Sequence, residues 1–161
     1  MRLALFDLDG TLLPIDSDHA FGEFMVSLGW ADAASFRQAN DKFYAQYQAE
    51  RLDMADYIRF ATACWRGRDA EQLTEASSRF TKEIIQPQLH NAALQLVRGH
   101  VEAGDLVAIV TATNDFVTRP IAACFGIEQL IATELQRDDL GRVTGEIQGV
   151  PAYREGKVTR V

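Results

Sequence analysis

The sequence begins with a short apolar run that ends abruptly in acidic and hydroxyl residues. Residues 2–6 are apolar except for Arg2, which is typical of a strand buried in a parallel sheet. Asp-Leu-Asp-Gly-Thr follows at residues 7–11, where Gly10 allows the chain to turn sharply. Two carboxylates at the end of a strand, followed by glycine and a hydroxyl, indicate a phosphoryl-transfer loop. We therefore expect an α/β fold in which this loop lies at the carboxyl end of a strand.

A second apolar run, residues 106–110, gives the strongest buried-strand signal in the chain and leads into the polar segment 111–114. The other elements predicted in this half are a helix over 89–103, a helix from 114 to about 125, a strand over 130–135, a hairpin strand over 142–147 and a helix over 153–161. Strands that alternate with helices predict a mostly parallel sheet.

The region between Pro14 and Pro87 has little strand pattern and carries four apolar stripes at helical spacing. Asp53 and Asp69 are suited to cap two of these helices. The pattern predicts a helical module, residues 16–87, inserted into a core formed by residues 1–15 and 88–161. We expect its aromatic stripes to form core rather than a binding surface.

Composition narrows the classes of function. A net charge of −7 argues against binding to nucleic acid or to anionic membranes. No segment is long and apolar enough for a membrane span, and the early acidic residues do not fit a signal peptide. Two distant cysteines predict reduced thiols in a cytoplasmic protein. The three histidines have no partners in the sequence, so we expect structural or surface positions for them.

The acidic loop has a specific chemical use. Asp7 can attack phosphorus to form an aspartyl-phosphate, while Asp9 protonates the leaving oxygen and later activates water. A divalent cation is needed between these carboxylates and a phosphate dianion, and oxygen ligands favour Mg²⁺ held by Asp7 and Asp9. The Thr111 hydroxyl and the following amide at Ala112 can cradle phosphate oxygens, and Lys157 can neutralise the transferring group.

Other polar residues have two open interpretations. Asp16 and Asp18 lie at the junction of core and insert, where they could contact an amine on a substrate, or could cap a helix. Asn114 could contribute to specificity, and it could equally cap the helix that follows. Phosphoserine and histidinol phosphate are both candidate substrates, and the sequence does not choose between them. Oligomeric state is not readable from the sequence.

The order of these motifs resembles that of the haloacid dehalogenase-like (HAD) superfamily. Residues 7–11 resemble its first motif, residues 109–114 its second and Gly156-Lys157 its third. The helical insert resembles the cap of the phosphoserine-phosphatase-like branch. The resemblance implies a Rossmann-like core, Mg²⁺ dependence and phosphomonoester hydrolysis, with the backbone carbonyl of Asp9 also on the metal. The acid at position 9 favours a phosphatase over a dehalogenase.

The sequence departs from the family pattern in one respect. The fourth motif, an acidic loop that completes the Mg²⁺ site, has no counterpart after Lys157. We therefore expect these residues to be part of a longer protein, and to bind Mg²⁺ poorly and turn over slowly by themselves. The leading hypothesis is a Mg²⁺-dependent phosphatase acting on a small phosphorylated metabolite. The alternatives are a non-catalytic phosphate-sensing or protein-binding domain and a phosphotransferase.

Overall fold

The computed structural model describes all 161 residues as an α/β fold with seven α-helices and five strands. The elements in chain order are β1 (Leu3–Phe6), α1 (Ser17–Ser27), α2 (Ala33–Gln48), α3 (Met54–Ala63), α4 (Ala70–Phe80), α5 (Asn91–Glu102), β2 (Leu106–Asn114), α6 (Asp115–Cys124), β3 (Gln129–Thr133), β4 (Leu135–Arg137), β5 (Val143–Ile147) and α7 (Glu155–Arg160). A π-helical turn, Thr81–Ile85, and a 3₁₀ turn, Gln86–Gln88, connect α4 to α5.

Three parallel strands form the main sheet in the order β1-β2-β3. The central strand β2 is almost fully buried, as its continuous apolar run predicts. The edge strand β1 is less covered, and Leu3 and Leu5 are 54% and 43% exposed. The predicted α/β fold with a parallel, Rossmann-like sheet is confirmed. None of the helices has the length and apolarity that crossing a lipid bilayer requires.

Strand β2 runs further than the sequence pattern predicts. The apolar run covers residues 106–110, and strand structure continues through the polar segment to Asn114. The pairing with β3 shifts register within this extension: Val110 lies opposite Ile131, whereas Asn114 lies opposite Thr133. The irregular pairing bends the strand locally and redirects its side chains.

The strand predicted over residues 130–135 is in fact two strands with different partners. β3 pairs with β2, whereas β4 pairs antiparallel with β5 in a separate hairpin. The chain changes direction between them at Glu134, where the Leu135 N–H donates to the Asp115 carboxylate at 3.1 Å. The sequence pattern did not reveal this break, because Leu135 continues the series of apolar residues and the change of pairing partner depends on distant segments.

Helices α1 to α4 begin at the aspartates that precede them. Asp16, Asp32, Asp53 and Asp69 each accept backbone N–H groups of the first turn, which satisfies donors that would otherwise lack partners. The predicted caps at Asp53 and Asp69 are therefore confirmed. Helix α2 differs from the other three, because none of its residues is fully buried.

The core joins the sheet to the helices through large apolar side chains. Ile109 of β2 and Ile121 of α6 are fully buried within one cluster of 20 buried residues. Phe21 of α1 packs edge-to-face against Trp65, with ring centroids 6.3 Å apart. Trp65 in turn stacks on Phe116 of α6 at 4.4 Å. Because burying a side chain of this size contributes roughly 2–3 kcal/mol, these contacts fix the helices over the carboxyl ends of β1 and β2.

Candidate functional site

A cavity of about 580 Å³ lies between the carboxyl ends of β1 and β2 and helices α1 to α3. Its core side contains Asp7, Asp9, Thr111, Ala112 and Lys157. The residues singled out for phosphoryl transfer therefore share one cavity, although they are spread along almost the whole chain. Their meeting follows from the topology, since parallel strands present their carboxyl ends at one edge of the sheet.

Asp7 lies directly after β1 and faces the cavity. Its Oδ1 accepts a hydrogen bond from Lys157 Nζ at 3.1 Å, a contact that joins residues 150 positions apart. Its Oδ2 lies 3.4 Å from the Thr11 hydroxyl. The Asp7 side chain is 48% exposed, so the carboxylate is accessible to a ligand in the cavity.

The position of Lys157 depends on the glycine before it. A Cβ atom at Gly156 would lie 2.0 Å from the carbonyl oxygen of Pro151, so no side chain fits there. The Gly156 N–H donates to the Tyr153 carbonyl at 2.9 Å, which tightens the turn at the start of α7. Arg154 begins this turn with a φ of 51°, a backbone conformation uncommon for residues other than glycine. The lack of a side chain at Gly156 thus permits this turn, and Lys157 follows it with its ammonium group on Asp7.

Asp9 is more enclosed than Asp7 and has partners on both carboxylate oxygens. The backbone N–H of Ser17 donates to Oδ1 at 2.7 Å, and the Thr113 hydroxyl donates to Oδ2 at 2.9 Å. Burial raises the pKa of Asp9, and these hydrogen bonds oppose the rise because they favour the ionised form. Gly10 follows with a φ of 70°, which allows the turn after the loop.

Thr111 and Ala112 lie in the irregular stretch of β2. Thr111 is buried, and its hydroxyl oxygen accepts the Thr113 N–H at 3.2 Å. Asn114, in contrast, caps α6 by accepting the Val117 N–H at 3.1 Å. It is buried and does not line the main cavity. Of the two interpretations of Asn114, the structure therefore favours the helix cap, because its carboxamide oxygen is already used in that role.

The two acidic residues at the start of α1 both line the cavity but have different surroundings. Asp16 caps α1 by accepting the N–H groups of Asp18 and His19, each at 3.0 Å. Asp18 accepts a hydrogen bond from the Tyr57 hydroxyl of α3. Burial is the main cause that raises the pKa of Asp18 to about 7. Burial and the adjacent Asp18 also raise the pKa of Tyr57.

Several cavity residues could not be identified from the sequence. The stripe residues Trp65 and Phe80 lie in the core, as predicted. Phe43, Tyr47 and Tyr57 line the cavity wall instead. Tyr47 of α2 packs against Tyr153, with ring centroids 6.1 Å apart, so it reaches the segment that leads to Lys157. His19, expected at a structural or surface position, is exposed and lines the same wall. The helical spacing of Phe43, Tyr47 and Tyr57 indicates an apolar face. It does not show which residues pack against that face.

The oxygen donors around Asp7 suit Mg²⁺. The chain contains no group of three or more His, Cys, Asp or Glu side chains arranged around a common metal position. Mg²⁺ needs fewer protein ligands than that, because it keeps several waters and commonly binds through one or two carboxylates and a substrate phosphate. The Asp7 carboxylate and the backbone carbonyl of Asp9 are hard oxygen donors of this type, so the residues present fit the ion.

The chain belongs to the haloacid dehalogenase-like hydrolase family, whose model matches residues 4–161. The predicted superfamily, its phosphoserine-phosphatase-like branch and the enzyme class, a hydrolase of the phosphatase type, are confirmed. A relative in Neisseria meningitidis named histidinol-phosphatase is 38% identical over 160 residues, which cover 99% of this chain and 72% of the relative.

Many solved structures resemble this chain, and two of them are described here. One is a protein of unknown function from Bordetella pertussis, 45% identical, with a TM-score of 0.90 over 99% of this chain and 71% of that one. The other is a phosphoserine phosphatase holding an analogue of its phospho-aspartyl intermediate. It is 20% identical with a TM-score of 0.57, covers 92% of this chain and 63% of that one, and supports the fold alone.

Proposed function

We propose that this protein is a Mg²⁺-dependent phosphatase that hydrolyses a small phosphomonoester through an aspartyl-phosphate on Asp7. The observation that carries the proposal is the 3.1 Å contact between Asp7 and Lys157, in a cavity that also contains Asp9 and Thr111. A nucleophile, an acid and a cation within one water-accessible cavity are the groups that phosphoryl transfer to a carboxylate requires.

The residues divide the chemistry as follows. An Asp7 oxygen attacks phosphorus while the bond from phosphorus to the ester oxygen breaks, and Asp9 gives its proton to that leaving oxygen. Asp9 then takes a proton from water, which attacks the aspartyl-phosphate and releases inorganic phosphate. Lys157, the Thr111 hydroxyl and the amide at Ala112 bind the phosphate oxygens. Mg²⁺, held by the Asp7 carboxylate and the Asp9 backbone carbonyl, would supply charge neutralisation between carboxylate and phosphate.

The charge of the cavity favours a substrate with a cationic leaving group. Five aspartates line it, at positions 7, 9, 16, 18 and 41, against Lys157 and one histidine. Asp16 and Asp41 have no part in the proposed phosphoryl transfer, and their negative charge favours an ester that also carries an amine. The aromatic wall offers flat apolar surface beside those carboxylates. We infer an amino-alcohol phosphate, and the relative named histidinol-phosphatase makes histidinol phosphate the first candidate.

The arrangement of the chain supports a division of labour between two parts. We propose that residues 16–87 act as a helical cap that selects the leaving group, over a core formed by residues 1–15 and 88–161. The cavity that both parts line supports this division.

The two free cysteines suit a metabolic enzyme of the reducing cytoplasm.

The test is a substrate panel with Mg²⁺, using the natural full-length protein and measuring released phosphate. We expect histidinol phosphate to have a higher kcat/KM than phosphoserine, and both to exceed glycerol phosphate, which lacks an amine. Asp7→Asn should lower kcat by at least about 1,000-fold, because the amide is a poor nucleophile. Asp53→Asn is the matched control, since asparagine caps a helix as well as aspartate does. Full turnover in Asp7→Asn would overturn the proposal.

A further inference from the structure

The Asp9 carboxylate is held by two separate elements of the fold. The Ser17 N–H at the start of α1 holds Oδ1 at 2.7 Å, and the Thr113 hydroxyl near the end of β2 holds Oδ2 at 2.9 Å. The first contact belongs to the backbone, so no substitution at Ser17 other than proline removes it. The second depends on one side chain, and neither the motifs in the sequence nor the family resemblance assigns Thr113 a role.

Thr113 lies in the irregular stretch of β2 and is largely buried. Its side chain is 8% exposed, and 104 residues separate it from Asp9 in the sequence. Thr111 and Thr113 both line the cavity, in the stretch of β2 where its register against β3 shifts. Irregular pairing next to an active site commonly redirects a side chain.

We propose that Thr113 is a positioning residue that keeps the Asp9 carboxyl directed at the oxygen of the leaving group. This inference rests on the proposed phosphatase function. A carboxyl group fixed at only one oxygen can rotate about its last bond, whereas contacts at both oxygens define its plane. The hydroxyl of Thr113 can donate and accept, so the contact persists whether or not Asp9 carries the proton that it transfers.

Two substrates with different leaving groups distinguish a positioning role of Thr113 from a purely structural one. An alkyl phosphate releases a strongly basic alkoxide and therefore needs a proton from Asp9 as its ester bond breaks. p-Nitrophenyl phosphate releases a stable nitrophenolate and needs little or no proton donation. The kcat/KM value reports the steps up to breakage of the ester bond, so its ratio between these two substrates measures how well Asp9 acts as an acid. Loss of folded protein lowers both values equally and leaves the ratio unchanged.

The experiment compares Thr113→Val with the wild-type full-length protein in Mg²⁺, using histidinol phosphate and p-nitrophenyl phosphate. Valine keeps the shape of threonine and the backbone N–H that donates to Thr111. We expect kcat/KM for the alkyl phosphate to fall about 10- to 100-fold, a part of what general acid catalysis supplies. The value for the aryl phosphate should change by no more than about threefold. Thr113→Ser restores the hydroxyl and should recover most of the lost ratio.

Thr118→Val is the matched control, because it makes the same change at a buried threonine whose hydroxyl donates to the Asn114 carbonyl instead. It should leave the ratio of the two kcat/KM values unchanged. The inference is overturned when Thr113→Val lowers both substrates equally or leaves both unchanged, or when Thr118→Val changes the ratio as strongly. Failure of the proposed function has a different signature, since the wild-type protein would then hydrolyse neither substrate.

Discussion

Asp18 makes the folding stability of this protein depend on pH in an unusual direction for a carboxylic acid. Burial is the main cause that raises its pKa from an ordinary 3.8 to about 7, with smaller contributions from Asp16 and Asp9, while the Tyr57 hydrogen bond opposes the rise. Because its folded pKa lies above its unfolded pKa, its contribution to stability is complete below about pH 4 and is lost as pH rises toward 7.

The size of the effect follows from the shift. About three pKa units at about 1.4 kcal/mol each correspond to at most about 4 kcal/mol. Since the carboxyl group borders a water-accessible cavity, we expect about half of this, roughly 2 kcal/mol. Asp18→Asn removes the titration and keeps an oxygen that can accept the Tyr57 hydroxyl. The variant should match the wild type near pH 4.5 and exceed its free energy of unfolding by about 2 kcal/mol near pH 8.

Urea denaturation with tryptophan fluorescence, in EDTA to exclude metal ions, measures this difference at several pH values. Asp32→Asn provides the control, because backbone and side-chain hydrogen bonds from Ser35 lower the pKa of Asp32 below 3.8. Its contribution to stability is lost only as pH falls below about 4, so its difference from the wild type should stay constant between pH 5 and 8. A constant difference for Asp18→Asn over that range, or one that favours the wild type at high pH, refutes the reasoning.

Two further predictions concern the turn before Lys157 and an ion pair between α3 and β5. Gly156→Ala should cost about 1–3 kcal/mol of unfolding free energy and raise KM several-fold, because the added Cβ would displace the backbone before Lys157. Gly67→Ala, where the structure leaves room, should do neither, and equal effects of the two would contradict the steric argument. Arg59 contacts Glu146 through two hydrogen bonds at 2.9 and 3.1 Å, on side chains that are about half exposed. A double-mutant cycle with alanine at both positions, measured by urea denaturation, should give a coupling energy of about 0.5–1 kcal/mol. A coupling energy above about 2 kcal/mol would show that the exposure of this ion pair does not predict its strength.

The sequence predicted those parts of the site that depend on local pattern. An apolar run followed by acidic residues locates Asp7 and Asp9 at a strand end, and the topology of parallel strands brings Thr111 to the same edge. Helix caps at Asp53 and Asp69 were also predictable, because capping involves only the next three residues. For the acidic loop and the helix caps, the physical cause lies within a few residues of the feature.

Other parts of the site depend on contacts between distant segments, which a single sequence does not encode in a readable form. The contact between the Thr113 hydroxyl and Asp9 joins residues 104 positions apart, and the resemblance of residues 109–114 to a family motif does not reveal it. The change of strand pairing at Glu134, from β2 to β5, also depends on contacts between distant segments. Tyr47 packs against Tyr153 beside the cavity. In the sequence, each is an ordinary aromatic residue, one on a helix and one in a turn.

The two walls of the cavity differ in stability, because helix α2 has no fully buried residue. Its side chains Phe43, Tyr44 and Tyr47 form one wall, while the opposite wall rests on the buried strand β2. Local unfolding begins where few apolar contacts must be broken, so α2 can separate from the body while the sheet stays intact. A ligand would then enter where this one helix moves away, and the carboxylates of Asp7 and Asp9 need not move for the cavity to open.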